Sequence, residues 1–147
     1  MTDDGDHPAI LVSDRQSAPL DVDGLVMLAR STLRGEGVGA VELSVSFVEE
    51  EEIEALHVRY LDEPGATDVL SFPLDADDLD EDGVRMLGDV VIAPSVAAAN
   101  NPGDPEAEVR LLLVHGILHL LGYDHEEDAE KAEMWARQER YSGVRAS

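Results

Sequence analysis

The chain contains no cysteine, little positive charge and no long apolar segment, and each absence excludes a class of protein. Without cysteine there are no disulfides, thiolate zinc sites or ordinary iron-sulfur clusters, so a bound metal must take nitrogen or oxygen ligands. The 10 basic residues, only one of them a lysine, stand against 33 acidic ones, for a formal net charge of -23. This balance argues against non-specific nucleic-acid binding, because phosphate contacts draw most of their affinity from lysine and arginine. A solubility or salt adaptation of the surface is the simplest interpretation.

The first residues do not predict a membrane protein. MTDDGDHP is acidic, and the apolar AILV after it is too short to target the chain to a membrane or to span one. We therefore expect a cytoplasmic protein without a membrane partner. At 147 residues, 44% of them hydrophobic, the chain suits one compact domain over 1–147, with residues 1–8 disordered.

Hydrophobic periodicity predicts strands mixed with helices. Strands are expected at 9–14, 41–48, 68–72 and 88–94, and helices at 20–33, 50–60, 104–121 and 126–141. The acidic segment 75–83 lacks the ligand periodicity of a calcium loop, and we interpret it as a solvated hairpin connection. The last helix should pack Ala129, Ala132 and Trp135, or neighbouring apolar positions, inward. This order predicts an α+β fold, with a small mixed sheet of about four strands packed with about five helices.

Three of the five histidines lie in the segment HGILHLLGYDH, residues 115–125. The first two interrupt a run that is otherwise apolar, so this helix should be buried nearly all round. His115 and His119 are four residues apart, and such residues lie on one face of a helix and can aim at a single point. Gly122 should end the helix and let the chain turn back, so that His125 supplies a third nitrogen.

Three neutral imidazoles leave one position of a tetrahedral site open, which is the arrangement of a catalytic zinc ion. A water in that position would have its pKa lowered towards about 7. Nickel, cobalt or iron would also suit three imidazoles. The alternative, that a histidine is simply hydrogen-bonded in the core or at the surface, is the interpretation we keep for His7 and His57, which lack this context.

The histidine spacing equals that of one class of zinc proteases, H-E-x-x-H-x-x-G-x-x-H, with one substitution. Gly116 stands where those enzymes carry the glutamate that acts as general base. Its loss argues against peptide hydrolysis by the usual route and leaves the metal-bound water in place. A peptidase would need a carboxylate from elsewhere within hydrogen-bond reach of that water.

The motif HGILHLLGYDH, with ATDVLSFP at 66–73 and LGDVVIAP at 87–94, closely resembles the YbeY family of bacterial single-strand endoribonucleases and ribosomal RNA maturation factors. Residues 115–125 meet every specified position of the family's metal motif, H-G-x-L-H-L-x-G-Y-D-H, and the likeness covers about residues 10–140. The resemblance implies one zinc ion held by His115, His119 and His125. It also implies a role in processing the 3′ end of small-subunit ribosomal RNA and in ribosome quality control, with single-stranded ribosomal RNA and the ribosome or its small-subunit proteins as partners.

The chain departs from the family pattern ahead of the P-T-D-V segment, where the family usually has an aromatic residue followed by arginine. Here Tyr60 is followed by Leu61, and the nearby arginine is Arg59, on the other side of the tyrosine. Two interpretations stay open: Arg59 contacts the substrate phosphate from its displaced position, or it is a solvated helix residue. The proline of P-T-D-V is Ala66, which should change only loop stiffness.

The sequence selects no general base among the nearby aspartates. Asp124 would orient an imidazole or take a proton, or else cap the following helix. Asp68 and Asp89 lie beside predicted strands, and hydrogen bonding to loop amides is the simpler interpretation of both.

The acidic composition favours a second function, that of a ribosome-associated assembly factor whose metal is mainly structural and which binds basic ribosomal proteins. Positive charge is locally enriched only at Arg137, Arg140 and Arg145, interleaved with Glu133 and Glu139. An exposed, salt-bridged helix face explains this cluster better than an RNA contact does.

Overall fold

The structure, a computed structural model, describes residues 8–38, 41–61, 68–74, 84–123 and 128–143. This part of the chain contains four strands and five helices, in the order β1 (Ala9–Arg15), α1 (Val22–Gly35), β2 (Val41–Val48), α2 (Glu50–Leu61), β3 (Val69–Pro73), β4 (Arg85–Ile92), α3 (Pro94–Asn100), α4 (Pro105–Leu120) and α5 (Asp128–Ser142). The predicted α+β class is confirmed. Of the segment expected to be disordered, residues 1–7 lie outside the described residues, whereas Pro8 is buried and its carbonyl accepts a hydrogen bond from Arg30.

The four strands form one mixed sheet in the order β1-β2-β4-β3. β1, β2 and β4 are parallel, whereas β3 runs antiparallel to β4, with Val69 opposite Ile92 and Pro73 opposite Gly88. β3 therefore lies at an edge of the sheet. The acidic connection predicted between β3 and β4, residues 75–83, lies outside the described residues.

The two faces of the sheet bury different clusters. Leu43, Val45 and Phe47 alternate along β2 and are buried with residues of α1 and α4 in the main core. The opposite face packs against α2, where Ile53 and Leu70 are buried together. This alternation follows from the period of two along a strand, and it explains why the segment 41–48 was predictable residue by residue.

The helix α4 lies at the centre of the packing, because it contacts α1, α3, α5, β3 and β4. Its start is the predicted one: the side chain of Asp104 accepts a hydrogen bond from the backbone N–H of Ala107 at 3.1 Å, and Pro105 is the first helical residue. Buried residues lie on all sides of the helix: Ala107, Val109, Leu112, Leu113, Val114, Gly116, Ile117, Leu118 and Leu120. The prediction of a helix buried nearly all round is confirmed.

One local prediction is wrong, and a second holds only in its alternative form. The fourth strand does not continue to Pro94, because β4 ends at Ile92 and α3 begins at Pro94, a residue type well suited to the first turn of a helix. In α5, Ala129 and Ala132 are exposed, whereas the neighbouring apolar residue Met134 is buried, on one stripe with Gln138 and Ser142. Met134 faces the α4 residues Val114 and Leu118, whose burial sets the orientation of α5. Trp135 is partly buried, as expected.

Among the helices of the described residues, none combines the length and the apolar character needed to cross a membrane.

Candidate metal centre

The helix α4 ends in a hydrogen-bonded turn. The N–H of Gly122 donates to the carbonyl of His119, and the N–H of Tyr123 donates to that of Leu118, each at 3.0 Å. These two bonds form a Schellman motif, in which the residue after the helix adopts a positive φ. Gly122 has a φ of 102° and is the helix terminator that the sequence predicts.

His115 and His119 lie one turn apart on α4 and are both half-buried. Their ring centroids are 4.6 Å apart, with 74° between the ring planes. Both rings line one groove of about 310 Å³ that runs along the edge strand β3. The other residues lining this groove are Val69, Leu70, Ser71, Phe72 and Pro73.

The third predicted ligand, His125, lies outside the described residues, and so does Asp124. In the ranges that the structure does describe, no group of three or more histidine, aspartate or glutamate side chains is placed to hold a metal ion. The three-histidine site therefore stays a prediction, of which two members are seen side by side.

The orientation of His115 is set by α5. Its Nδ1 lies 2.7 Å from Oε1 of Gln138, whose residue is 3% exposed. Because an amide oxygen only accepts hydrogen bonds, Nδ1 carries the proton and the lone pair of His115 is on Nε2. The ring of Trp135 stands edge-on to His115, with centroids 6.0 Å apart. A neutral imidazole held through its second nitrogen is the form in which histidine binds zinc, so His115 fits such an ion.

Gly116 lies where α4 touches the sheet. A Cβ atom at this position would come within 2.7 Å of Cγ1 of Val90 and 3.1 Å of Oγ of Ser71. The hydroxyl of Ser71 also donates a hydrogen bond to the Gly116 carbonyl at 3.3 Å. A glutamate side chain has no room here, so the packing of α4 against β3 and β4 excludes the general base of the zinc proteases from this position.

Arg59 lies in the last turn of α2, next to Tyr60. Its guanidinium carbon is 5.3 Å from the centroid of the Tyr60 ring, within the range of a cation–π contact. Tyr60 packs edge-to-face on Phe72, with ring centroids 5.4 Å apart, and Phe72 lines the groove. Arg59 is thus exposed and connected to the histidine groove through two aromatic rings.

Asp68 and Asp89 do not belong to the residues that line the groove. Oδ2 of Asp68 accepts a hydrogen bond from the side-chain amide of Asn100 at 3.0 Å. Asp89 is exposed on β4, opposite Phe72 in the strand register. His57 is half-buried on α2, away from this lining, and His7 lies outside the described residues.

Comparison with known proteins identifies the family to which this arrangement belongs. The Endoribonuclease YbeY family model matches residues 14–143. The chain belongs to the YbeY family. Endoribonuclease YbeY of Thermobifida fusca is 46% identical over 150 residues, which cover 95% of this chain and 96% of that protein. Endoribonuclease YbeY of Streptomyces coelicolor is 41% identical over 141 residues, which cover 88% and 86%.

A solved structure has the same fold as this member of the YbeY family. The solution structure of TM1509 from Thermotoga maritima superposes with a TM-score of 0.59 at 29% identity. The match covers 90% of this chain and 86% of that one. The family resemblance expected from the histidine motif is confirmed, and with it membership of a family of endoribonucleases.

In this member of the YbeY family, a second polar cluster adjoins the turn after α4. The carboxylate of Glu36, whose side chain is 5% exposed, accepts hydrogen bonds from the Tyr123 hydroxyl at 2.6 Å, the Arg137 guanidinium at 2.6 Å and the Tyr141 hydroxyl. Burial alone would raise the pKa of the Glu36 carboxyl, but these hydrogen bonds outweigh it and hold the pKa below its ordinary value. The Glu36 cluster thus joins the end of α1 to the turn and to α5.

The salt-bridged helix face predicted for the C-terminal arginines is confirmed for Arg137. Its guanidinium pairs with Glu133 one turn away at 2.8 Å as well as with Glu36. Hydrogen bonds to these two carboxylates raise the pKa of Arg137. Arg145 lies outside the described residues.

Sequence reasoning missed both Gln138 and Glu36. Gln138 lies four residues after Met134 and four before Ser142, on the buried stripe of α5. A polar amide on such a stripe is a signal that could have been noticed. Glu36 lies between two glycines at the end of α1, and its partners are 87 to 105 residues away along the chain. No local pattern reveals contacts of that kind.

Proposed function

We propose that this protein is a zinc-dependent endoribonuclease that cleaves single-stranded RNA during maturation of the 3′ end of small-subunit ribosomal RNA, and that it takes part in ribosome quality control. One observation carries the proposal: in a member of an endoribonuclease family, two histidines of the predicted metal motif open onto the same groove. The substrate class implies a cytoplasmic protein that works on the ribosome or with its small-subunit proteins.

The ligands we assign are His115 through its Nε2, His119 through a ring nitrogen, and His125. When bound, zinc would polarise the scissile phosphate or lower the pKa of a water in the open position, and nickel or another divalent metal would suit the same donors. Gln138 keeps the proton on Nδ1 of His115 and so keeps the other nitrogen available.

The rest of the groove suits a phosphodiester substrate. Leu70, Phe72 and Pro73 give the groove an apolar wall, and electrostatic interactions beside apolar protein surface are screened less than in bulk water. The guanidinium of Arg59, next to Tyr60, would offset the negative charge that develops on the phosphate oxygens. Since position 116 has no room for a carboxylate, the attacking water is activated differently from that of the zinc proteases.

The test measures metal content and cleavage in the wild type, His119→Ala and His57→Ala. His57→Ala is the matched control, because it removes a half-buried histidine that does not line the groove. We expect about one zinc ion per chain in the wild type and the control, and a loss in His119→Ala. Cleavage of a single-stranded fragment of the ribosomal RNA 3′ end should disappear in that variant and on chelation, while circular dichroism shows the fold retained. A wild type without bound metal, or a His119→Ala variant that still cleaves, would refute the proposal.

The net charge of -23 favours one alternative, an assembly factor that binds basic ribosomal proteins and whose metal is mainly structural. Metal removal separates the two functions. A structural metal would unfold the domain when it is removed, whereas a catalytic one would abolish cleavage and leave the fold largely intact. Zinc binding without cleavage of any single-stranded RNA would support the assembly factor.

A further inference from the structure

We propose that the exposed ring of Tyr60 is a stacking platform for one unpaired base of single-stranded RNA, at the rim of the groove that holds His115 and His119. The proposal rests on the proposed function and names the part of the substrate that this rim recognises. A base on the platform would bring its own phosphate, or that of the next nucleotide, towards the groove.

The first observation is the exposure of Tyr60. The chain has 3 tyrosines, 2 phenylalanines and 1 tryptophan, all in the part that the structure describes. Of these six side chains, Tyr60 alone is exposed, with 56% of its surface accessible. The other two tyrosines donate to Glu36, and Trp135 packs against His115. These aromatic side chains have roles inside the fold, whereas Tyr60 is exposed.

The second observation is how the ring is held. Tyr60 packs edge-to-face on Phe72, with 66° between the ring planes and 5.4 Å between the centroids. Phe72 is part of the edge strand β3 and lines the groove together with both histidines. Tyr60 is therefore supported at the rim by a residue of the sheet. A ring supported in this way loses little conformational freedom when a base stacks on it.

The third observation is the charge of the molecule. A chain with a net charge of -23 draws little affinity for RNA from general phosphate attraction. Stacking of a base on an aromatic ring does not depend on net charge, and every base has a face suitable for it. The guanidinium of Arg59 lies over the ring, 5.3 Å from its centroid, so a cation adjoins the platform.

The platform would also select for single strands. In a duplex, each base is stacked between its neighbours and paired, so its face is not available to a protein side chain. An unpaired base in a loop or at an end can turn out and stack on an aromatic ring. Tyr60 would thus contribute to substrate choice as well as to affinity.

The test is a double-mutant cycle, in which the Tyr60 ring is removed from the protein and one base is removed from the RNA. Fluorescence anisotropy would measure the affinity of the wild type, Tyr60→Phe and Tyr60→Leu, each loaded with zinc, for a labelled single-stranded RNA of about ten nucleotides, a length within the site sizes of single-strand binding proteins. The same RNA would be tested with one abasic position, moved along its length. Val58→Ala is the matched control, since it trims another exposed apolar side chain of α2, 46% accessible. A denaturing gel run after each titration would show that the RNA is intact.

We expect Tyr60→Leu to weaken binding about 5- to 100-fold, and Tyr60→Phe and Val58→Ala to stay within about twofold of the wild type. One or two abasic positions should weaken wild-type binding by a similar factor and leave the affinity of Tyr60→Leu unchanged. Zinc content and circular dichroism of Tyr60→Leu should match the wild type. If that variant fails to fold, the abasic series on the wild type and on Tyr60→Phe still tests whether one unpaired base contributes to binding.

Two results would overturn the platform and leave the proposed function standing: a wild type that cleaves RNA but binds every abasic RNA as well as the intact one, or a Tyr60→Leu penalty that is the same for all the RNAs. A wild type that binds and cleaves no single-stranded RNA would overturn both.

Discussion

Two polar clusters adjoin the turn after α4: the Glu36 cluster, which is closed to solvent, and the pair His115 and His119, which opens onto a groove. The Glu36 cluster is closed, because its carboxylate is 5% exposed and takes hydrogen bonds from the turn and from α5. His115 and His119 instead face a groove of about 310 Å³, and Gln138 fixes the orientation of His115. The comparison teaches that a polar side chain in a core indicates chemistry only when its neighbours orient it towards an opening.

The largest effect should come from opening the closed cluster with Glu36→Ala. This substitution leaves two tyrosine hydroxyls without their acceptor and Arg137 with Glu133 alone, so the free energy of unfolding of the zinc-free protein should fall by about 3 kcal/mol. Denaturant unfolding would measure the change. The control is Glu52→Ala, which breaks an ion pair with Arg15 whose side chains are 47% and 38% exposed. It should cost less than about 1 kcal/mol. Equal losses of unfolding free energy in the two variants would contradict the stabilising role of the closed cluster.

The open cluster should respond to Gln138→Leu in metal affinity more than in stability. Without the amide oxygen, the Nδ1 proton of His115 loses its acceptor, and zinc affinity should fall by about 10- to 100-fold. Competition with a chromogenic chelator would measure it. Gln138→Glu keeps an acceptor at the same distance and should bind zinc at least as tightly as the wild type. An unchanged affinity in Gln138→Leu would mean that the contact does not serve metal binding.

A smaller effect is expected where α4 meets the sheet. Gly116→Ala brings a Cβ within 2.7 Å of Val90, and overpacking of this kind costs about 1 to 3 kcal/mol. The higher helix propensity of alanine returns about 1 kcal/mol, so a net loss of about 1 kcal/mol is expected. Gly103→Ala is the control, because the nearest atom to its Cβ is 3.9 Å away, and it should not destabilise the protein. Thermal unfolding would compare the two, and a stabilised Gly116→Ala would contradict the close packing.

The smallest effect concerns the pH dependence of the closed cluster. The folded-state pKa of Glu36 is lowered from its ordinary value of 4.5, so its ionised form contributes stability above that pH. This contribution is lost as the pH falls through the lower folded pKa. In the zinc-free protein, Glu36→Gln should therefore flatten the acid limb of the stability curve below about pH 4.5. Denaturation midpoints at a series of pH values would show it, and an acid limb as steep as that of the wild type would contradict the role of Glu36.

Much of the fold was predictable because its signals are local. Apolar and polar residues alternate over 41–47, and α4 is marked by Asp104 and Pro105 at its start and Gly122 at its end. The short helix α3 was missed because its seven residues, mostly small, carry no amphipathic period that could be distinguished from an extension of the strand.

The site was predictable only along α4. The i, i+4 spacing of His115 and His119 fixes their convergence within one helix, so the sequence suffices there. Their support comes from Gln138 on another helix and from β3 at the sheet edge, and such contacts arise from tertiary packing that no local pattern encodes. The same holds for the Tyr60 ring, whose place at the rim depends on Phe72.

The contact at Gly116 bears on how this motif can evolve. One substitution would restore the glutamate of the zinc proteases, but the Val90 side chain occupies the space that its first carbon needs. Val90 is fully buried, so trimming it first would leave a cavity and a less stable intermediate. A protein that evolves from nuclease to peptidase chemistry, or back, would have to pass through that less stable intermediate or change positions 116 and 90 together. Packing beneath a helix can thus keep two enzyme classes apart even when their histidine motifs differ at one specified position.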